Sequence, residues 1–181
     1  MSGTNSEREL IAEGPAIILV EPQLGENIGM VARAMANFGL AELRLVSPRD
    51  GWPNEKARSA ASKADHVIDG AVVFETLEDA TRDLNFVYAT TARDRDLIKP
   101  VMTPQTAIAE SRGLEASGAR VGVLFGGERS GLNNDDVSLA HAILTVPVNP
   151  RFASINLAQA VLLVEFAGEE RQTQLASLKR L

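Results

Sequence analysis

The side chains of this 181-residue chain that could do chemistry fall in three polar stretches, centred on Arg33, Glu128 and Ser154. The first reads Asn27-Ile-Gly-Met-Val-Ala-Arg33-Ala-Met-Ala-Asn37-Phe-Gly39. At helical spacing Arg33 and Asn37 lie one turn apart, on a different stripe from the apolar residues, where they face either a cleft or solvent. A guanidinium presents forked donors to an oxyanion and, with a pKa above about 12, has no lone pair with which to act as a base. The second stretch, Leu124-Phe-Gly-Gly-Glu-Arg-Ser-Gly131-Leu, ends an apolar run in glycines that let the backbone turn sharply and approach a ligand closely. Its spacing is neither the dinucleotide G-x-G-x-x-G nor a P-loop. The third, Val146-Pro-Val-Asn149-Pro-Arg-Phe-Ala-Ser154-Ile-Asn156-Leu-Ala-Gln-Ala160, carries Ser154 outside any G-x-S-x-G elbow, which argues against a serine hydrolase. Taken singly, each stretch has an ordinary explanation: an exposed Arg-Asn pair, turn glycines beside a solvated Glu128, and a serine helix cap.

Elements able to position these residues alternate along the chain. Ala16–Val20 is a continuous apolar run of the kind found in buried parallel strands, and Glu21 to Asn27 forms a loop. Asn27 predicts a helix N-cap, followed by apolar residues at Ile28, Val31, Ala32 and Met35 and a stop at Gly39. Leu43–Val46 predicts a second strand, Asn54–Lys63 a helix, Leu77–Arg82 a short helix and Phe86–Ala89 a strand. Pro100 and Pro104 bracket a loop before another short helix; Arg120–Phe125 and Ala142–Val146 predict the last two strands. From Asn156, Leu157, Ala160, Val161 and Val164 mark the apolar face of a terminal helix that turns polar from Glu169 to Leu181. The sum is βαβ grammar for a mostly parallel sheet flanked by helices: a polar segment over 1–15, one domain over 16–168 and a polar helix end over 169–181.

Bulk composition narrows the function classes. With 45% apolar and 23% charged residues, the chain has the proportions of a soluble globular protein. Neither a membrane-spanning run nor a signal peptide is legible, which predicts a cytoplasmic protein without membrane partners. There is no cysteine, and His66 and His141 fall in no ligand-spaced motif, so no metal site is expected. The 18 Lys and Arg against 24 Asp and Glu give a net charge of −6, so attraction to phosphate must come from local patches. Arg93, Arg95 and Lys99 make one such patch, and Arg129 with Arg151 another.

In this order, each after a buried strand, the three stretches resemble the three motifs of the SPOUT class of methyltransferases over about Ala16 to Phe166. The TrmH/TrmJ branch, which methylates ribose 2′-hydroxyls of RNA, is the most similar. Thr90-Thr91-Ala92-Arg93-Asp94-Arg95 and Asn149-Pro150 followed by Ser154-Ile-Asn-Leu-Ala look most like its TrmJ members, which act on the tRNA anticodon loop. The resemblance implies a deep trefoil knot in the C-terminal part of the sheet, a homodimer contacting through the Arg33 helix and the terminal helix, and S-adenosylmethionine as methyl donor, leaving S-adenosylhomocysteine. It places Arg33, Ser154, Glu128, Asn27 and Asn156 around the reacting groups. It lines the cofactor site with Thr90, Thr91 and Ala92, with Leu124, Phe125, Gly126, Gly127 and Glu128, and with Leu144, Val146, Pro147, Ser154 and Leu157. RNA would be met by Arg33, Asn37, Arg93, Arg95, Arg129 and Arg151. TrmJ-like proteins commonly continue into a helical extension after this core. Rival classes are a non-catalytic knotted RNA- or cofactor-binding module, a 2′-O-methyltransferase for another tRNA site or rRNA, and a nucleotide-dependent dehydrogenase, against which the missing G-x-G-x-x-G counts.

Overall fold

A computed structural model describes residues 12–91 and 98–167; Ala92, Arg93, Arg95 and the polar segment 169–181 lie outside the described residues. The expected parallel sheet is present. Its strands are β1 (Ala16–Val20), β2 (Leu43–Val46), β3 (Val72–Phe74), β4 (Phe86–Thr90), β5 (Val101–Met102), β6 (Val121–Gly126) and β7 (Ala142–Leu144), in the order β3-β2-β1-β6-β4-β7-β5. Every pairing is parallel. The chain builds outward from β1 to β3, then crosses to β4, and β6 later enters between β1 and β4 while β7 enters between β4 and β5. The direction of build-up therefore reverses beside β1, and in open α/β sheets ligands collect at the carboxyl ends of the strands flanking such a reversal.

Both faces of the sheet are covered, which is why β1 reads as an unbroken apolar run rather than an alternating one. Ile17, Leu19, Val123 and Phe125 point to one side, where they pack with α1 (Gly25–Asn37), α2 (Glu55–Ala61), α3 (Asp65–Asp69), α5 (Pro104–Ala116) and α7 (Leu157–Phe166). Ile18, Val20 and Leu124 point to the other, against α4 (Leu77–Thr81) and α6 (Asn134–Ser138). A buried charge, Arg44 at 4% exposure, sits on that second side, bonded to Asp83, Glu42 and the Ala80 carbonyl. Arg120 completes the cluster with Glu42 and Asp83, and the Arg44 guanidinium holds the Asp83 carboxyl at about 2.

Several expectations change. The first helix begins at Gly25 after Leu24, not at an Asn27 cap, because the Asn27 side chain is engaged elsewhere. The helix after Pro104 runs 13 residues, with the Thr103 hydroxyl accepting from the Thr106 N–H at its start, so it is not short. The segment between Pro100 and Pro104 contains the edge strand β5, and the last strand stops at Leu144 rather than Val146. No strand was read at β3 and no helix at α3 or α6; each is three to five residues long, too short to show a period.

The seat of α1 depends on two glycines a turn apart. A Cβ on Gly29 would lie 2.1 Å from the Ala57 carbonyl oxygen, and one on Gly25 would strike the Asn54 side chain that caps α2. Gly29→Ala is expected to cost about 1–3 kcal/mol by forcing α1 and α2 apart. Gly113→Ala, on α5 with open space around an added Cβ, should instead stabilise by roughly 0.5–1 kcal/mol. Denaturant melts of the two variants check both signs.

Candidate active site

The carboxyl end of β4 and the loops that follow β6 and β7 border a cleft of about 410 Å³. Thr90 and Thr91 form one side, the run from Phe125 to Leu132 a second, and Ala153, Ser154, Ile155, Leu157 and Ala160 the third. A smaller recess of about 130 Å³, sharing Thr90, Thr91, Ala153, Ile155 and Ala160, adds Leu144 and Val146. The β4 end is stitched to its neighbours: the Thr90 hydroxyl donates to the Leu124 carbonyl at 2.7 Å, the Thr91 N–H to the Leu144 carbonyl at 3.1 Å, and the Thr145 hydroxyl to the Thr91 carbonyl at 3.1 Å. Two threonine hydroxyls and one backbone pair thus fix the strand ends at the cleft.

The glycines of the β6 loop are required by close approach. A Cβ on Gly126 would stand 2.1 Å from the Gly131 carbonyl carbon, and one on Gly127 2.5 Å from the Glu21 carbonyl oxygen. The loop folds back on itself through an antiparallel bridge between Gly127 and Gly131, with Gly131 at φ +63. That turn delivers the Glu128 carboxylate to the entrance of α1.

There Glu128 accepts from the Gln23 N–H at 2.7 Å, the Leu24 N–H at 3.2 Å and the Asn27 amide at 2.8 Å. Asn27, 4% exposed, accepts in turn from the Asn156 amide at 3.1 Å. Asn156 caps α7 by accepting from the N–H groups of Ala158 and Gln159. One chain of hydrogen bonds thus joins all three polar stretches, and the negative charge lies at the N-terminal end of α1, where the helix dipole favours it. Burial pushes the Glu128 carboxyl up, but the bonds from Asn27, Gln23 and Leu24 outweigh it and hold the pKa below its ordinary value. Asn156 takes the capping role open to Ser154, which leaves the Ser154 side chain exposed on the cleft wall.

Not all the expected residues meet. The Leu124 side chain is fully buried on the α4/α6 side, so only its backbone, expected to hold the cofactor, stands near the cleft through the tie to Thr90, and Pro147 does not line the cleft. Arg129 lines it; Arg151 is exposed outside the wall. Arg33 and Asn37 also lie outside the wall, on an exposed stripe of α1 with Glu26 and Met30. Sequence reasoning missed Ser130, Gly131, Leu132, Ala153, Ile155 and Ala160 as lining residues; the apolar and small types in this set were the available signal. It also missed Arg49, whose N–H donates to the Pro22 carbonyl at 3.0 Å and whose guanidinium, paired with Asp50, lies within electrostatic range of Glu128.

Among the described residues, no helix is long and apolar enough to cross a membrane. The chain is 38% identical over 165 residues, 91% of its length, to the tRNA (cytidine/uridine-2′-O-)-methyltransferase TrmJ of Pectobacterium atrosepticum, and spans 66% of that relative. The crystal structure of TrmJ from Z. mobilis ZM4 superposes with a TM-score of 0.81 at 60% identity, covering 84% of this chain and 67% of that one. A probable methylase family protein from Haemophilus influenzae gives a TM-score of 0.79 at 34% identity, over 89% of this chain and 66% of that one. A family model described as the SpoU rRNA Methylase family matches residues 14–166, which spans the sheet and every segment that borders the cleft; the chain belongs to this family.

Proposed function

We propose that this chain transfers a methyl group from S-adenosylmethionine to a ribose 2′-hydroxyl of RNA, with tRNA, at the anticodon loop, as substrate. The observation that carries this is that the second and third polar stretches line one cleft and that the first is tied to both beside it through the hydrogen bonds joining Glu128, Asn27 and Asn156. Family membership and the names borne by the Z. mobilis and P. atrosepticum proteins support it. The cleft volume is that of a small-molecule site, and its walls combine apolar side chains with glycine backbone that a flat nucleoside can approach, so the residues present fit the cofactor. When bound, S-adenosylmethionine supplies an electrophilic methyl carbon on a sulfonium. The order in which β6 and β7 enter the sheet accords with the deep trefoil knot of the class.

What the protein itself must do is chiefly positional, since in-line transfer needs the ribose oxygen aligned with that carbon. Ser154 on the wall orients the ribose. Glu128, Asn27 and Asn156 act as positioning residues: the Glu128 oxygens are occupied by donors and its pKa is held low, which makes it a poor base. Arg33 clamps the substrate phosphate and stabilises the developing alkoxide. Because Arg33 is exposed and off its own cleft, it does so across a homodimer interface. Met30 on α1 and Leu162, Leu163 and Phe166 on α7 are exposed, and the Phe38 and Phe166 rings meet edge to face at 6.2 Å; a second copy covers these apolar side chains.

A radiolabelled methyl-transfer assay with bulk tRNA tests the activity: incorporation is expected, whereas RNA binding without incorporation would identify a non-catalytic module. In that assay Arg33→Lys should lose about 10²-fold in kcat/KM while affinity for S-adenosylhomocysteine, measured by calorimetry, stays the same. Near-wild-type turnover would refute the forked clamp. Leu163→Glu should shift the protein from dimer to monomer in sedimentation and abolish methyl transfer.

Asn27→Asp sets a second carboxylate against Glu128. The pair then shares one proton, its folded pKa lies above the unfolded value, and the associated stability is present at low pH and lost as pH rises through the folded pKa. The variant's melting temperature should therefore climb relative to wild type between about pH 7 and pH 5. In wild type the sign is opposite: with its folded pKa below 4.5, Glu128 contributes stability above that value, lost as pH falls through the folded pKa, and Glu128→Gln should flatten this acid limb.

A further inference from the structure

We propose that Phe152 is a stacking platform for a nucleobase of the bound RNA, placed beside the cleft that receives the target ribose; this rests on the RNA methyl-transfer function above. The ring is 78% exposed, whereas Phe125 and Tyr88 are buried in the core and Phe166 packs on Phe38. Its presentation is built rather than incidental. The Phe152 N–H donates to the Asn149 carbonyl at 2.8 Å and the Arg151 N–H to the Asn149 side-chain oxygen at 3.0 Å, closing the turn at Pro150. A closed turn lowers the ordering cost of any contact the ring makes.

Position and surroundings select the occupant. Ala153 and Ser154, the next two residues, line the cleft, so the Phe152 and Ser154 backbones are at most about 7 Å apart, within the span of one nucleotide. The exposed residues flanking Phe152 in the chain are Asn149, Pro150, Arg151 and Ser154, and Arg129 is exposed on the cleft that Ser154 lines. A lone aromatic among cations and hydrogen-bonding groups suits a flat, amphipathic, anionic ligand, and aromatic rings interleaved with arginines are how single-stranded nucleic acid is held. A second protein copy would seek apolar surface, and exposed apolar side chains lie instead on α1 at Met30 and on α7 at Leu162, Leu163 and Phe166.

The test compares wild type, Phe152→Ala and Phe152→Tyr in the full chain, using bulk tRNA as probe. Fluorescence anisotropy with labelled tRNA and steady-state methyl transfer are read together with S-adenosylhomocysteine calorimetry and sedimentation. Phe152→Ala is expected to weaken tRNA binding and raise KM about tenfold with kcat within twofold. Phe152→Tyr should restore both, and neither variant should change S-adenosylhomocysteine affinity or self-association. Unchanged tRNA affinity in Phe152→Ala would overturn the proposal, as would a loss of affinity accompanied by dissociation of the dimer or loss of S-adenosylhomocysteine binding. Absence of methyl transfer in wild type would defeat the enzymatic function instead, and is read separately from the anisotropy series.

Discussion

The carboxylate of Glu128 at the entrance of α1 is the constraint on which the rest of the site depends. It stands at the tip of a loop that folds only because Gly126 and Gly127 lack side chains, and it satisfies N–H groups of the turn that starts α1. Hydrogen bonds to an ionised acceptor are worth about 1.5–3 kcal/mol each, roughly twice a neutral one, and their loss would leave a charge without donors in a partly buried place. Through Asn27 the same group fixes Asn156, and through Asn156 the first turn of α7. Loops more than 100 residues apart in sequence are thereby set in one register.

Electrostatically, the arrangement separates two tasks. Against the upward push of burial, donors from Asn27, Gln23 and Leu24 hold the Glu128 carboxyl below its ordinary range, which suits a brace. Cationic groups, Arg129 on the wall with Arg151 and Arg33 outside it, remain exposed, as the proposed contacts with RNA phosphate require. A chain with net charge −6 can therefore carry a local cationic rim while its acidic residues are distributed elsewhere, for example in the Glu42–Asp83 cluster that neutralises Arg44 and Arg120.

What could be read from sequence follows the range of the forces involved. The strands β1, β4 and β6 were legible because burial on both faces writes a nearly continuous apolar run, β2 in spite of its buried Arg44, and the glycine loop because close backbone approach admits no other residue. Asn27 was misplaced as a cap because capping is a local rule, while its partners Glu128 and Asn156 are 101 and 129 residues away. Strand alternation turns the Leu124 side chain to the opposite face from Phe125, so the motif's expectation at this position concerns its backbone, whose carbonyl accepts from the Thr90 hydroxyl. The exposure of Arg33 could not be inferred from helix periodicity, which says which stripe a residue occupies but not whether a cleft or a second copy lies opposite. Arg49 escaped notice because nothing in its own stretch announces the proximity of Glu128.

The proposed chemistry differs from base methylation in the bond it forms, and that bond has a direct chemical signature. A methyl group on the ribose 2′-oxygen removes the nucleophile that cleaves the adjacent phosphodiester in alkali. tRNA labelled by the protein with methyl-radiolabelled S-adenosylmethionine should, after complete alkaline hydrolysis, retain the label in alkali-resistant dinucleotides. Release of the label in mononucleotides would contradict transfer to the ribose and with it the central claim.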